Sequence, residues 1–277
     1  MSKCLSANFS RLFRSPLFLL AGAFMAAMGV FMVLANYISM KEDGFLSHLD
    51  DVFFGAAILI GVISALFVSL FFGTEYSDGT IRNKIIVGHR RSSIYLANLI
   101  TGITAALVFL AAFFLPAALL GLPLLNGFLC GPRQILLTLC CCLFLSAAYT
   151  ALFLLAAMLC QNKAVTVAIC ILLAFGILFA GAYIQNRLSE PETYDQYVVT
   201  GENGMPSTVE SMPNPSYLRG TERKVYDFFY DFLPGGQALQ CVQLTVARPG
   251  LLMVLSCVIV LSSTGAGLLL FERKDLK

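Results

Sequence analysis

Six stretches of this chain contain no Asp, Glu, Lys or Arg: residues 17–40, 52–74, 92–132, 134–162, 164–186 and 249–271. Each is long enough for a helix across a hydrocarbon core of about 30 Å, which takes roughly 20 residues at 1.5 Å rise. Inside a bilayer the backbone polar groups need internal partners, and long uninterrupted apolar runs meet that need as helices, not as a barrel. The expected fold is an all-α membrane protein with six transmembrane helices. Only 12% of the residues are charged, about half the roughly 25% usual in soluble domains. The net charge of +2 gives no sign of a nucleic-acid partner.

The run 92–132 could hold one long helix with a Pro/Gly-broken end at Pro116, Gly121 and Pro123, or two short ones. Charge placement decides, because Lys and Arg in short flanking loops stay on the cytoplasmic side. With six spans and the N-terminus inside, and the long segment before span six left out of the tally, eleven basic residues lie inside: Lys3, Arg11, Arg14, Arg82, Lys84, Arg90, Arg91, Lys163, Arg273, Lys274 and Lys277. Lys41 and Arg133 lie outside. Splitting the run changes that 11:2 to 8:5, so six spans are expected, with both termini cytoplasmic. The first run is too long for the core of a cleavable signal peptide and lacks a small-residue cleavage site after it.

Outside the spans, residues 1–16 place Leu5, Phe9, Leu12 and Phe13 on one helical face and Lys3, Arg11 and Arg14 elsewhere. That pattern predicts an interfacial helix leading into span one. Spans one to five are expected within 17–185, and span six with a cytoplasmic tail in 249–277. Residues 186–248 form the one sizeable external segment. Its first half, with Pro191, Gly201, Gly204, Pro206, Pro213 and Pro215, reads as a loop-rich cap. Its second half, "VYDFFYDFLPGGQALQCVQLTV", fits either two short helices dipping into the outer interface or a small subdomain with its own core. Cys140, Cys141 and Cys142 match no metal spacing and read as small packing residues. Cys130 and Cys241 are the two cysteines that could both face an oxidising exterior.

Between spans two and three lies "FFGTEYSDGTIRNKIIVGHRRS", residues 71–92, with six charged residues in positions 75–91. Ser77 or Asp78 can cap a helix start, Ile81, Ile85 and Ile86 are read on one side, and Gly88 can stop the helix. A helix of about eight residues is marginal alone in water, so it is expected to dock against something. A loop that only fixed orientation would need the basic residues, but not the capping signals or Glu75 and Asp78.

Glu75, three intervening residues, then Gly79-Thr80 and Ile81-Arg82 resemble the segment after the second span of ABC-2 type transporter permeases. The resemblance extends to the amphipathic N-terminus, the six spans, the "FLPGGQAL" element before span six and the basic ending "FERKDLK". It is nearest to small bacterial permeases of bacitracin or lantibiotic resistance. One departure is Asn98, where members of that family often carry Lys. The resemblance implies an ABC-2 exporter fold in the bacterial cytoplasmic membrane, with residues 73–92 as a coupling loop touching an ATPase subunit. Glu75, Asp78, Gly79, Thr80, Ile81, Arg82, Lys84 and Ile85 are the coupling residues it implies, with Ile81 and Ile85 as the partner-facing anchor and Glu75 and Asp78 fixing the helix start. The implied partners are an ATPase dimer and a second permease chain, surrounded by membrane lipid. Phe67, Phe71, Phe72, Phe175 and Phe179 become candidates for lining a substrate pathway.

The residues themselves fit a partner-driven subunit. The chain has no Gly-x-x-x-x-Gly-Lys-Ser/Thr loop to cradle ATP. The six runs contain no ionisable relay residue of the kind an ion-coupled transporter needs. His48 and His89, its two histidines, fall in different loops, which leaves no nucleophile–base pair or metal set for a membrane protease. No enzyme activity, cofactor or metal is expected in this chain. ATP and Mg²⁺ would sit on the partner, and an amphipathic cargo such as an antimicrobial peptide, drug or lipid-like molecule suits an apolar pathway. The alternative function class is a non-transporting sensor or assembly scaffold with a ligand-binding external loop.

Overall fold

The computed structural model describes residues 2–44, 46–198 and 208–274. Gly201, Gly204 and Pro206 of the cap, and Lys277 of the charge tally, lie outside the described residues. An N-terminal helix α1 (Ser2–Arg14) is followed by α2 (Pro16–Asp43), a single turn α3 (Asp50–Phe53), α4 (Ala56–Ser77), a short helix α5 (Thr80–Ile86), α6 (Arg91–Leu124), α7 (Pro132–Leu159) and α8 (Lys163–Leu188). Two strands, β1 (Thr193–Val198) and β2 (Thr208–Pro213), precede α9 (Gly220–Phe232), α10 (Pro234–Val242) and α11 (Pro249–Arg273).

Six helices are long and apolar enough to cross a membrane: α2, α3–α4, α6, α7, α8 and α11. The chain is a multi-pass helical membrane protein. Prolines mark where helices begin, with Pro16, Pro132, Pro234 and Pro249 in their first turns, where the missing N–H costs nothing. By contrast α6 runs through Pro116 and Pro123 as one helix of 34 residues. The single long span expected from the charge tally is therefore what forms.

Burial is uneven. In the apolar windows of α4 and α7, 67% and 56% of residues are buried, against 22% for α2 and α8. So α4 and α7 form the middle of the bundle, with α8 beside α4, α11 beside α7, and α2 laid along α6. A Cβ added at Gly29 would fall 2.6 Å from the Phe113 carbonyl oxygen, so this glycine lets α2 and α6 approach closely. Phe18, Phe67 and Phe109 interlock from α2, α4 and α6, with centroids 5.2–6.3 Å apart.

One end of the bundle is basic and carries α1 and the end of α11. Arg91 donates to the carbonyls of Phe271 and Glu272 at the end of α11, each at 3.0 Å. Lys274 donates to Met158 and Leu159 at the end of α7, at 3.0 and 2.9 Å. Each cation satisfies carbonyls that a helix end leaves without partners.

At the other end, the loops after α2 and α6 are tied together. Leu49 N–H donates to Gly127 O at 2.8 Å, and the Asp50 carboxylate accepts the backbone N–H groups of Leu129 and Cys130. Here the segment between α8 and α11 departs from an all-helical expectation, because β1 and β2 form an antiparallel hairpin pairing Thr193 with Pro213. Its aromatic half forms two helices, as one of the two readings held, and the second of them is packed inside the bundle. Seven of the nine residues of α10 are buried, packed against α8, α4 and α7. A Cβ at Gly235 would clash with the carbonyl oxygen of Ile177. Ile177 is eleven residues from the end of α8 at Leu188, which is about 16 Å of helix. Thus α9 and α10 form a hairpin that enters the bundle to roughly mid-depth.

The two glutamines of α10 are paired within the hairpin and with α11. Gln237 donates to Asp231 O at 2.8 Å and accepts from Ser256 at 2.7 Å, while Gln240 donates to the Asp231 carboxylate at 3.0 Å. Cys241 is buried in α10, and both it and Cys130 are free thiols.

Candidate functional site

The charge-free run ending at Thr74 is not where the second span ends. Helix α4 continues to Ser77 and carries Glu75 into the interior with no solvent exposure. Asp50–Ser77, one of the six span-length helices, therefore carries a buried carboxylate one residue beyond its charge-free run. Gly79, at φ +67°, then reverses the chain, a left-handed conformation that favours glycine. It stands at the N-terminal boundary of α5, and neither Ser77 nor Asp78 caps that helix. Ser77 instead turns back to donate to Thr74 O at 3.1 Å, and exposed Asp78 ends α4. Glu75 belongs to the last turn of α4, so it cannot fix the start of α5 as a cap.

The C-terminal end of α5 is as expected. Gly88 N–H bonds to Ile85 O at 2.9 Å and His89 N–H to Lys84 O at 3.1 Å, with Gly88 at φ +94°. That is a Schellman ending.

Folding back on α4 brings the Lys84 ammonium 2.8 Å from Glu75 Oε1. Lys84 also donates to Asn8 Oδ1 at 3.1 Å. Asn8 Nδ2 donates to Asn98 Oδ1 at 2.7 Å, and Asn98 Nδ2 donates to Glu75 Oε2 at 3.1 Å, closing a ring. Arg11 adds a second cation, with Nη2 2.7 Å from Glu75 Oε1 and its guanidinium 4.0 Å from the centre of the Phe71 ring. Its Nε and Nη2 have no aligned hydrogen bond among the described residues, so that contact is one of charge and proximity. Four side chains, Asn8 and Arg11 from α1, Lys84 from α5 and Asn98 from α6, thus gather around one carboxylate on α4.

A lone carboxylate taken out of water costs several kcal/mol. Here two cations and one amide donor offset that cost, and the cluster keeps one net positive charge. Removing a single member would leave a buried charge or dipole uncompensated, so the cluster acts as a rivet between α1 and the three elements α4, α5 and α6. Next to it, Tyr76 donates to Met158 O at 2.5 Å, beneath the Lys274 ammonium. Burial lowers the pKa of Lys274 from its ordinary value, with Cys160 acting the other way.

Of the coupling residues implied by the resemblance, Glu75 and Lys84 meet in this cluster. Gly79, Ile81 and Arg82 line a cleft of about 290 Å³ with Glu75, Tyr76, Ser77 and Gln161. Thr80 begins α5. Ile81 is buried against its own chain and Ile85 packs beside the same core. The exposed face of α5 holds Arg82, Asn83 and Ile86 and continues into Val87, with Ile86 75% and Val87 77% exposed. At about 100° per residue, Ile85 lies roughly 40° from Ile81 and Ile86 roughly 140°. The three isoleucines therefore do not share a side, and Ile81 is not free to anchor another protein.

Phe67, Phe71 and Phe72 are buried among α2, α4 and α6, whereas Phe175 and Phe179 are exposed and stacked at 6.2 Å on α8. Asn8, Arg11 and Asn98 were not anticipated as site residues. The available signals were an Asn amid the apolar positions of an amphipathic helix and another in the first turns of a span. No protein-family model matches the chain, and no curated protein matches it.

Proposed function

We propose that the chain is the permease subunit of an ATP-driven exporter of the ABC-2 type, with a separate ATPase docking on α5. The observation that carries this reading is the riveted short helix. A seven-residue helix is marginal by itself, yet this one is tied by Lys84 and Ile81 to three other helices while turning Ile86 and Val87 outward beside Arg82 and Arg90. A rigid apolar tip in a basic surround suits an apolar groove with an acidic rim, and a push on it reaches α4 and α6 through Glu75.

The excess of Lys and Arg at this end favours a cytoplasmic location for it and for both termini, which is where ATP is available. In this reading two copies face each other across apolar helices, and the open Phe175–Phe179 surface of α8 borders the path of a hydrophobic or amphipathic cargo. The ATPase brings the nucleotide and Mg²⁺.

Co-expression with stand-alone ATPase subunits encoded nearby tests the proposal. The isolated chain is expected to hydrolyse no ATP, and one ATPase should co-purify with it and hydrolyse ATP in the complex. Hydrolysis by the isolated chain, or failure of every such ATPase to bind, would overturn the reading.

A further inference from the structure

We infer that the seam between α2 and α4 is a binding site for one anionic diacyl phospholipid of the leaflet at the basic end. Because α2 lies mainly along α6, it leaves a furrow of about 540 Å³ against α4, walled by Leu20, Phe24, Leu59, Leu66, Phe67 and Leu70 among other apolar residues. From Leu59 to Leu70 is eleven residues of helix, about 16 Å, or half of the roughly 30 Å hydrocarbon core. The furrow is one leaflet deep, the length over which an acyl chain lies.

At the basic end the same seam opens into a second hollow, of about 600 Å³, lined by Ser10, Arg11, Arg14, Ser15, Phe71 and Thr74 with Ala7 and Pro16. On α4, Phe67 and Leu70 of the furrow precede Phe71 and Thr74 of the hollow at helical spacing, so the two share one stripe. No acidic side chain lines the hollow. Arg11 turns one edge to Glu75 and keeps 35% of its side chain exposed, and Arg14 is exposed with no ion pair among the described residues. Two guanidiniums and two seryl hydroxyls above a one-leaflet apolar furrow match a phosphodiester above an acyl chain. A zwitterionic lipid has the same chains but brings a cation to a basic mouth. With a phosphate in place, Arg11 would stand between it and Glu75, so occupancy would reach the cluster that holds α5. This inference does not depend on transport or on an ATPase.

Native mass spectrometry of the purified full chain tests it, with phosphatidylglycerol, phosphatidylcholine of the same acyl chains, or inorganic phosphate added in detergent. One phosphatidylglycerol per chain should be retained, at least fivefold more than phosphatidylcholine, and excess inorganic phosphate should not displace it. Arg14→Gln should lower that retention about fivefold, as expected for one basic residue at a lipid surface. Ala21→Phe, which fills the furrow without touching the cluster, should lower it as well. Equal retention of the two lipids, or retention unchanged in both variants, overturns the proposal. So does displacement by phosphate alone, which would mean a plain anion site. A lipid-free dimer lost on Ala21→Phe would overturn it too, assigning the seam to a second copy.

Discussion

The Lys84 ammonium and the Glu75 carboxylate are 2.8 Å apart, with the lysine side chain 15% exposed and the glutamate fully buried. The two residues lie on different helices, so their contact fixes the angle between the end of α4 and α5. Breaking a buried pair by removing one partner typically costs about 3–5 kcal/mol, and a small part of Lys84 remains in water, so Lys84→Met should fall near the lower bound. Glu75→Gln with Lys84→Met should cost less than the sum of the single changes by about 1 kcal/mol or more. Reversible unfolding in mixed micelles measures this cycle, and strict additivity would mean that the pair does not act as one.

Asn98 holds the far oxygen of Glu75 and also accepts from Asn8. Asn98→Ala should therefore destabilise the chain by about 1–3 kcal/mol, because Asn8 Nδ2 and Glu75 Oε2 each lose a buried hydrogen bond. Melting curves in mixed micelles measure the loss, and an unchanged midpoint would mean that Asn98 does not hold the cluster together.

Gly235 and Gly176 are a matched pair for the re-entrant hairpin. A Cβ at Gly235 meets the backbone of Ile177, whereas one at Gly176, the residue before Ile177 on α8, meets nothing within 4 Å. Gly235→Ala should displace α10 and cost several kcal/mol in melting experiments. Gly176→Ala should be neutral or stabilising by up to about 1 kcal/mol through helix propensity. Equal effects would place the hairpin elsewhere.

The two ends of the bundle should differ in accessibility. In a Cys130→Ala background, an impermeant thiol reagent on intact cells should label Ser211→Cys in β2 and spare Ser77→Cys at the end of α4. Cys241, buried in α10, should stay unlabelled. The reverse pattern for the two introduced thiols would invert the orientation.

The six spans were legible because each is a continuous apolar run, and the unbroken α6 followed from where the basic residues fall. Local chemistry also announced the end of α5, since Gly88 is the residue a Schellman ending needs. The charge cluster was not legible, because Asn8, Glu75 and Asn98 come together only through packing of distant helices. Glu75 itself read as loop because a span was expected to end at its last uncharged residue. Three isoleucines in a seven-residue helix did not reveal which faced inward, and Ile86 is the one turned out. The depth of α10 was hidden because "PGGQALQ" looks like a polar turn, while its glutamines satisfy the carbonyls and carboxylate of their own hairpin.

The most direct test of α5 as a docking joint is ATPase pull-down by three forms of the chain at equal membrane expression. Truncating an apolar anchor at a small interface typically costs about 1–3 kcal/mol, and a charge there more, so Ile86→Asp should cut co-purification at least tenfold. Arg82→Ala should weaken binding less, mainly through a slower association that depends on salt. Wild-type recovery of the ATPase by Ile86→Asp would contradict the account.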